Sequence, residues 1–184
     1  FPEIIAKAFA LAVSGQPGPV LVNVPMDVFS AEIDVALFDR LRGNARPTIP
    51  PSIDETTAEA IVSTLVSAKR PVIHVGGGVV LARAAAELQA LVDHLGIPVA
   101  HSLMGKGALP DDHPLTLGMT GFWGASFVNR ACLDADVILA LGTRFKEADS
   151  SSWYRDYTFN IPPTRLIHID IEPEPDGLLG NGTD

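Results

Sequence analysis

The sequence has 184 residues, of which 47% are hydrophobic and 19% charged, enough for one domain with a core or for one domain with a piece of another. The net charge is −9 and the lysines and arginines are few and scattered, which argues against a nucleic-acid partner, because such a partner requires a basic face. No apolar run reaches the roughly 20 residues of a membrane-spanning helix, and no secretion signal is visible. The single cysteine, Cys132, excludes an internal disulfide. We therefore expect a cytoplasmic protein without membrane association.

The first part of the chain predicts a helix, a strand and a linker. Apolar residues recur at helical spacing over residues 2–13, and the mostly apolar run Val20–Val24 predicts a buried strand. Charged, glycine- and proline-containing sequence over 31–51 is typical of a linker. Because the chain opens without methionine and closes in the polar, glycine-rich stretch 180–184, we expect a fragment of a longer protein.

A second pattern begins at Ser52, where Asp54 is a candidate N-cap of an amphipathic helix. Pro71 opens the predicted strand Val72–Val75, which three glycines follow directly. A longer helix is predicted over Leu81–Leu95 and is ended by Gly96.

The remaining residues predict further strands separated by a helix and a long loop. The strands are Ile97–Ala100, Val137–Leu141 and Leu166–Ile171; residues 101–124 read as a loop, and a helix covers Ala125–Leu133. Continuous apolar strands that alternate with helices indicate a parallel sheet covered on both faces. The sequence therefore predicts an α/β fold: a doubly wound, Rossmann-like parallel sheet with helices on both faces.

Sheets of this kind bind ligands at the carboxyl ends of their strands, where the glycine triplet lies. A dinucleotide fingerprint requires G-x-G-x-x-G, but Leu81 occupies the sixth position counted from Gly76. The strand about 20 residues further on ends in Ala100 and offers no acidic residue for a ribose. Ordinary NAD binding is therefore disfavoured, and a tight structural turn and a phosphate contact remain equally supported readings of the glycines.

The polar residues show no catalytic arrangement. Arg144 follows the strand that ends at Leu141 and could meet a phosphate or an acidic group. No two histidines have metal-binding spacing; His74 and His168 lie within apolar strands and are interpreted as packed core residues. Residues 150–152 lack the setting of a serine nucleophile. From the residues alone, we predict a ligand-binding domain with no catalytic and no metal-ligating residues of its own.

Several segments together resemble thiamine-diphosphate enzymes of the acetolactate synthase type. The segment SGQPGPVLVNVPMDV at 14–28 is similar to the end of the pyrimidine-binding domain of that family. In family order there follow RPVIHVGGG at 70–78, SLMGKG at 102–107, ADVILALGTRF at 135–145 and IHIDIE at 167–172.

The resemblance implies three regions: residues 1–30 as the C-terminal end of the pyrimidine-binding domain, 31–51 as a linker, and 52–184 as the central α/β domain. It implies a parent protein that uses thiamine diphosphate and magnesium in a transferase or lyase reaction on a small 2-oxo acid, and that forms a homodimer or homotetramer. The catalytic glutamate and the magnesium- and diphosphate-binding segment of the family fall outside this chain. The chain itself is therefore expected to bind no thiamine diphosphate, to be inactive, and to have the remaining domains of the parent as partners.

The resemblance also implies a cofactor site in the central domain, which binds FAD in acetolactate synthases and ADP in some relatives. The family contacts carry over to Gly76, Gly77, Gly78, Leu103, Met104, Gly118, Met119, Gly142 and Arg144, with Asp170 as a candidate for the adenosine end. The chain departs from the family after Phe145, where Ala148 replaces a second arginine. Two alternatives stay open: a nucleotide-binding module without catalysis, and an NAD(P)-dependent dehydrogenase domain.

Overall fold

The structure is a computed structural model that describes residues 2–15, 17–32, 34–36 and 52–171. The described residues fall into two compact units. The first lies within Phe1–Ser52 and includes Ile171, and the second is Ile53–Asp170. Most of the predicted linker 31–51 and the end of the chain, 172–184, lie outside the described residues.

The first unit contains helix α1 (Pro2–Ala12), as predicted, and a short helix α2 (Met26–Phe29). The predicted buried strand Val20–Val24 is wrong, because these residues form no strand and Leu21 is 93% exposed. An apolar run becomes a strand only where a neighbouring backbone offers hydrogen bonds, and no other strand exists in the described part of this unit.

The second unit alternates strands and helices. The helices are α3 (Glu55–Ser67), α4 (Gly77–Leu81), α5 (Ala85–Leu95) and α6 (Ser126–Leu133), and the strands are β1 (Pro71–Val75), β2 (Val99–His101), β3 (Thr116–Met119), β4 (Val137–Leu141) and β5 (Arg165–Ile169). Asp54 caps α3 as predicted, because its carboxylate accepts a hydrogen bond from the Thr57 N–H at 2.8 Å.

The five strands form one parallel sheet in the order β3-β2-β1-β4-β5. The chain starts in the middle with β1, builds outward through β2 to β3, and returns to place β4 on the other side of β1. The order of the strands therefore reverses between β1 and β4, which is the topological switch point of a doubly wound sheet. The predicted fold class is confirmed.

Alternate residues of each strand supply two separate hydrophobic cores, one on each face of the sheet. On one face, Ile73 and Leu139 pack with α3, α4 and α5, whose contributions include Leu65 and Val92. On the other face, a second cluster of buried residues includes Val72, Ala100, Val128, Cys132, Ile138 and Ala140. Helices thus cover both faces, which explains why the strands read as continuous apolar runs.

Two sequence predictions within this unit require correction. The helix predicted over Leu81–Leu95 begins only at Ala85, because Arg83 adopts a left-handed conformation (φ +57°) that separates it from α4, which ends at Leu81; the predicted stop at Gly96 is confirmed (φ +66°). The predicted loop 101–124 contains the strand β3. An edge strand with one neighbour needs no continuous apolar run, so the four-residue β3, with Gly118 inside it, gave no strand signal.

Burial also determines the chemistry of Cys132. Its side chain is fully buried on α6, and burial raises the pKa of the thiol to about 12. The thiol is therefore neutral near neutral pH and serves as a small apolar packing group.

Within the described ranges, no helix is long and apolar enough to cross a bilayer.

Asp136 fixes the amino-terminal edge of the sheet. Its carboxylate accepts hydrogen bonds from the backbone N–H of Lys69 at 2.7 Å and of Arg70 at 2.9 Å, across the start of β1 and β4. These bonds, that of Lys69 first, hold the pKa of Asp136 below its ordinary value. One carboxylate thereby aligns the beginnings of the two central strands.

We predict that Asp136→Asn lowers the melting temperature of the protein. An asparagine amide has only one oxygen, so its NH2 group must face one of the two N–H donors. The matched control is Asp134→Asn, which removes the same charge from an exposed side chain whose carboxylate accepts no backbone hydrogen bond in the described chain. Equal melting temperatures for the two variants in differential scanning calorimetry would contradict this role of Asp136.

Candidate functional site

The carboxyl edge of the sheet brings together every residue that the sequence assigns to a cofactor. Each lies at the end of a strand or in the turn that follows it. Gly76, Gly77 and Gly78 follow β1; Leu103 and Met104 follow β2; Gly118 and Met119 end β3; Gly142 and Arg144 follow β4; and Asp170 follows β5. The structure thus gathers these residues along one edge, with the glycine triplet at the switch point.

At the switch point the turns after β1 and β4 are in direct backbone contact. A Cβ atom on Gly78 would lie 2.6 Å from the Gly142 Cα, and a Cβ on Gly76 would overlap the Gly142 carbonyl oxygen and Thr143. Gly142 itself has φ +56°, a conformation that favours glycine. These three glycines therefore have a packing role, whether or not a ligand contacts them.

The amides of the triplet are already partly committed to the protein. The Gly76 N–H donates to the Leu141 carbonyl, and the Gly78 N–H donates to the Gly142 carbonyl, both at 2.9 Å. In the described chain, Gly77 is the member of the triplet whose N–H makes no such bond. Of the three glycines, Gly77 is thus the best placed to offer an amide to an anionic group. Contacts of Gly76 and Gly78 with a ligand stay predictions.

The turn after β2 presents apolar side chains to solvent beside the switch point. Leu103 and Met104 are 55% and 67% exposed, and the Leu103 N–H donates to the Asp149 carboxylate at 3.2 Å, which ties this turn to the segment after β4. Towards β3 the edge continues as an open cleft of about 390 Å³, which His101 and Met119 help to line.

The turn after β4 directs Arg144 and Phe145 into different environments. Arg144 is exposed, whereas Phe145 is buried in the core with φ +47°. The carbonyl of Thr143 accepts a hydrogen bond from His168 Nε2 on β5 at 2.7 Å. Asp170, after β5, is partly buried, and its carboxylate lies 3.9 Å from the same Nε2.

His74 lies beneath this edge as a fully buried imidazole. Its ring stacks on Phe145 with centroids 5.4 Å apart and meets Phe159 edge-on at 5.4 Å. Its Nε2 lies 3.0 Å from the hydroxyl of Thr120, while its Nδ1 has no hydrogen-bond partner in the described chain. The interpretation of His74 as a packed core histidine agrees with these contacts, and the aromatic cluster around it was not anticipated.

The hydrogen bonds assign the neutral tautomer of His74. The Thr120 hydroxyl lies 3.4 Å from the His101 carbonyl, to which it can only donate, so it accepts from His74 Nε2–H. Nδ1 then carries a buried lone pair, which costs less than a buried unpaired N–H. Burial, followed by the charges of His101 and His168, lowers the pKa of His74 to about 3.

The same edge shows no grouping of ligands for a metal ion. Among the residues that the structure describes, no set of three or more His, Cys, Asp or Glu side chains converges. What the edge offers is backbone amide, exposed apolar surface, a guanidinium and a carboxylate. These groups suit an organic anion with an apolar ring system better than a metal ion.

We predict that Gly78→Ala destabilises the protein by roughly 1–2 kcal/mol, because overpacking against the Gly142 backbone outweighs the gain in helix propensity. Gly18→Ala is the matched control, since a Cβ at Gly18 would meet no atom within 4 Å. Urea unfolding of both variants measures the difference. A Gly78→Ala variant as stable as the control would show that the two turns can separate at no cost.

We predict that His74 makes the protein less stable in acid. The unfolded chain takes up a proton at this residue near its ordinary pKa of 6.5, whereas the folded chain does so only near 3. Stability is therefore retained above about pH 6.5 and falls below it, by roughly 2 kcal/mol at about pH 5. Urea unfolding at about pH 7.5 and pH 5 measures how much stability each variant loses on acidification. The loss should be smaller in His74→Gln than in the wild type, whereas His94→Gln, an exposed control, should lose as much as the wild type.

Comparison with known proteins gives one consistent result. Residues 58–177 match the model of the thiamine pyrophosphate enzyme central domain. The chain is 37% identical over 177 residues to a probable acetolactate synthase large subunit of Methanocaldococcus jannaschii and 37% identical over 179 residues to the acetolactate synthase large subunit of Corynebacterium glutamicum. It is 40% identical over 173 residues to the glyoxylate carboligase of Escherichia coli O157:H7.

These alignments cover 94%, 97% and 94% of the chain but only 29%, 28% and 28% of the respective relatives. The matched part of each relative is thus less than a third of its length. The matched residues 58–177 include the whole five-stranded sheet described above. The chain belongs to the thiamine pyrophosphate enzyme family and contains the central domain of that family.

Proposed function

We propose that the chain belongs to a thiamine-diphosphate-dependent carboligase or decarboxylase that acts on small 2-oxo acids, in which this domain is not itself catalytic. The family match carries this proposal, together with relatives named acetolactate synthase and glyoxylate carboligase. Thiamine diphosphate, when bound with magnesium elsewhere in such a protein, supplies the carbanion chemistry. None of the residues described here is assigned a part in that step.

The role proposed for the domain is to bind an FAD or ADP group along the carboxyl edge of the sheet. Arg144 would pair with the diphosphate, to which the Gly77 amide could also donate. The exposed Leu103 and Met104 would contact a ring system, and Asp170 would accept a hydrogen bond from a ribose hydroxyl. The donor set and the exposed apolar surface fit such a group.

The extent of the edge favours FAD over ADP. The assigned residues begin at β3 and end at β5, the two outermost strands of the sheet. With strands about 4.8 Å apart, four intervals span about 19 Å. ADP has one ring system and would reach only part of this span, whereas FAD has a ring system at each end. Residues at both ends are used only if the ligand is a dinucleotide.

The proposal extends to the assembly and to the parts of the chain. Residues 1–30 would be the end of a pyrimidine-binding domain, 31–51 a linker and 52–184 the central domain, within a longer cytoplasmic homodimer or homotetramer. The division of the described residues near Ser52 supports the boundary. The fraction of the relatives that the chain covers supports further domains as its partners.

A thermal-shift titration with FAD, ADP, NAD and thiamine diphosphate tests the proposed site. We expect FAD to raise the melting temperature more than ADP does, and thiamine diphosphate and NAD to leave it unchanged. Arg144→Gln should weaken FAD binding about tenfold, because a charge-assisted contact to the diphosphate is lost.

Arg130→Gln is the matched control, because it removes another exposed guanidinium, from the last turn of α6 and remote from the carboxyl edge. A shift with thiamine diphosphate alone would contradict the proposal that this domain does not bind it. Binding of NAD in preference to FAD would favour the dehydrogenase alternative, and equal losses in the two arginine variants would remove Arg144 from the site.

A further inference from the structure

Arg144 lies between two residues that are held in place by contacts with ring side chains. On its amino side, the Thr143 carbonyl accepts a hydrogen bond from His168 Nε2 at 2.7 Å. On its carboxyl side, Phe145 is only 3% exposed and stacks on His74 with an interplanar angle of 15°. Phe145 is buried and His168 is partly buried, and both act on the turn that carries Arg144: Phe145 belongs to its backbone, and His168 donates to the Thr143 carbonyl.

The backbone of Phe145 shows why such support is needed. Phe145 has φ +47°, a backbone conformation that residues other than glycine adopt only at a cost in free energy. The cost is offset by four aromatic contacts of the Phe145 ring, with centroid distances between 5.3 and 5.7 Å, to His74, Phe159, His168 and Trp153. The strained conformation in turn directs the Phe145 ring into the core while Arg144 lies at the exposed edge.

We propose that Phe145 and His168 are positioning residues that hold Arg144 at the ligand-binding edge, with His74 as the buried surface against which Phe145 stacks. The inference rests on the proposed cofactor site. A positioning role differs from a purely structural role: the aromatic cluster would determine where the Arg144 guanidinium lies, and not only how stable the domain is.

The cluster itself provides a matched control. Phe159 is 7% exposed and contacts His74, Phe145 and Trp153, so Phe159→Leu perturbs the same buried rings as Phe145→Leu. It is not in the turn that carries Arg144, however. The two variants therefore separate a general loss of packing from a specific loss of position.

The test is a set of FAD dissociation constants on the 184-residue protein, for the two phenylalanine variants, for Arg144→Gln and for the Phe145→Leu/Arg144→Gln double variant. We expect Phe145→Leu to weaken binding about tenfold and Phe159→Leu to weaken it much less, because the second variant leaves three of the four ring contacts of Phe145 in place. In the Arg144→Gln background, Phe145→Leu should have no further effect, because the residue through which it acts is absent. Equal losses in the two phenylalanine variants, or a loss that persists without Arg144, would overturn the inference.

A second pair of variants tests His168. His168→Gln can still donate to the Thr143 carbonyl and should retain FAD binding, whereas His168→Leu cannot and should lose it to the extent of Phe145→Leu. Equal affinities for these two variants would exclude a positioning role for His168.

If the wild-type protein binds neither FAD nor ADP, the proposed cofactor site fails, and the positioning of Arg144 is judged without ligand. The readout is then the ¹⁵N relaxation of the Arg144 side-chain Nε–H. Phe145→Leu should increase the mobility of this group much more than Phe159→Leu does. Equal mobility in the two variants would overturn the inference independently of any ligand.

Discussion

The turn that leaves β1 and the turn that leaves β4 meet so closely that no side chain fits between their backbones. Gly76 and Gly78 on one side and Gly142 on the other make this contact, and two N–H to carbonyl hydrogen bonds connect the turns. The position of α4, which starts within the first turn, and the direction of the chain through Thr143, Arg144 and Phe145 both depend on it. A change at any of these glycines would therefore alter both the packing of the sheet and the shape of its carboxyl edge.

Beneath the contact, the protein buries the imidazole of His74 among aromatic rings. His74 contributes a flat surface to Phe145 and one hydrogen bond to Thr120, at the cost of a lone pair without a partner. Burial lowers the pKa of His74, because a protonated, charged imidazole at this position would have no solvent around it. The core thus accepts a polar ring because the ring is neutral and is stacked on its neighbours.

Membership of the thiamine pyrophosphate enzyme family gives this architecture a context. In this context, the role proposed above for the central domain is to hold a cofactor in place. The exposed Leu103, Met104 and Arg144 all lie at the one edge where doubly wound sheets bind ligands. Under the proposed function, binding and catalysis are divided between domains, because the scaffold supplies position and charge whereas the chemistry belongs to the cofactor.

The sequence by itself determined the fold class, the central strands, the N-cap at Asp54 and the helix stop at Gly96. Each of these depends on local spacing and on the need to cover both faces of a parallel sheet. It did not determine β3, the break at Arg83 or the absence of a strand at Val20–Val24. Edge pairing, a left-handed residue and the lack of a hydrogen-bonding neighbour are set by contacts distant in the chain.

The same division holds for the candidate site. The glycines and Arg144 could be found from the sequence, because they follow apolar strands and match a family pattern. Only the tertiary structure showed that Gly76, Gly78 and Gly142 face one another across the switch point, and that His74, Phe145 and His168 form a cluster beneath Arg144. The reason is that these residues lie on three different strand ends, and the order of strands in the sheet, which no local pattern encodes, brings the ends together.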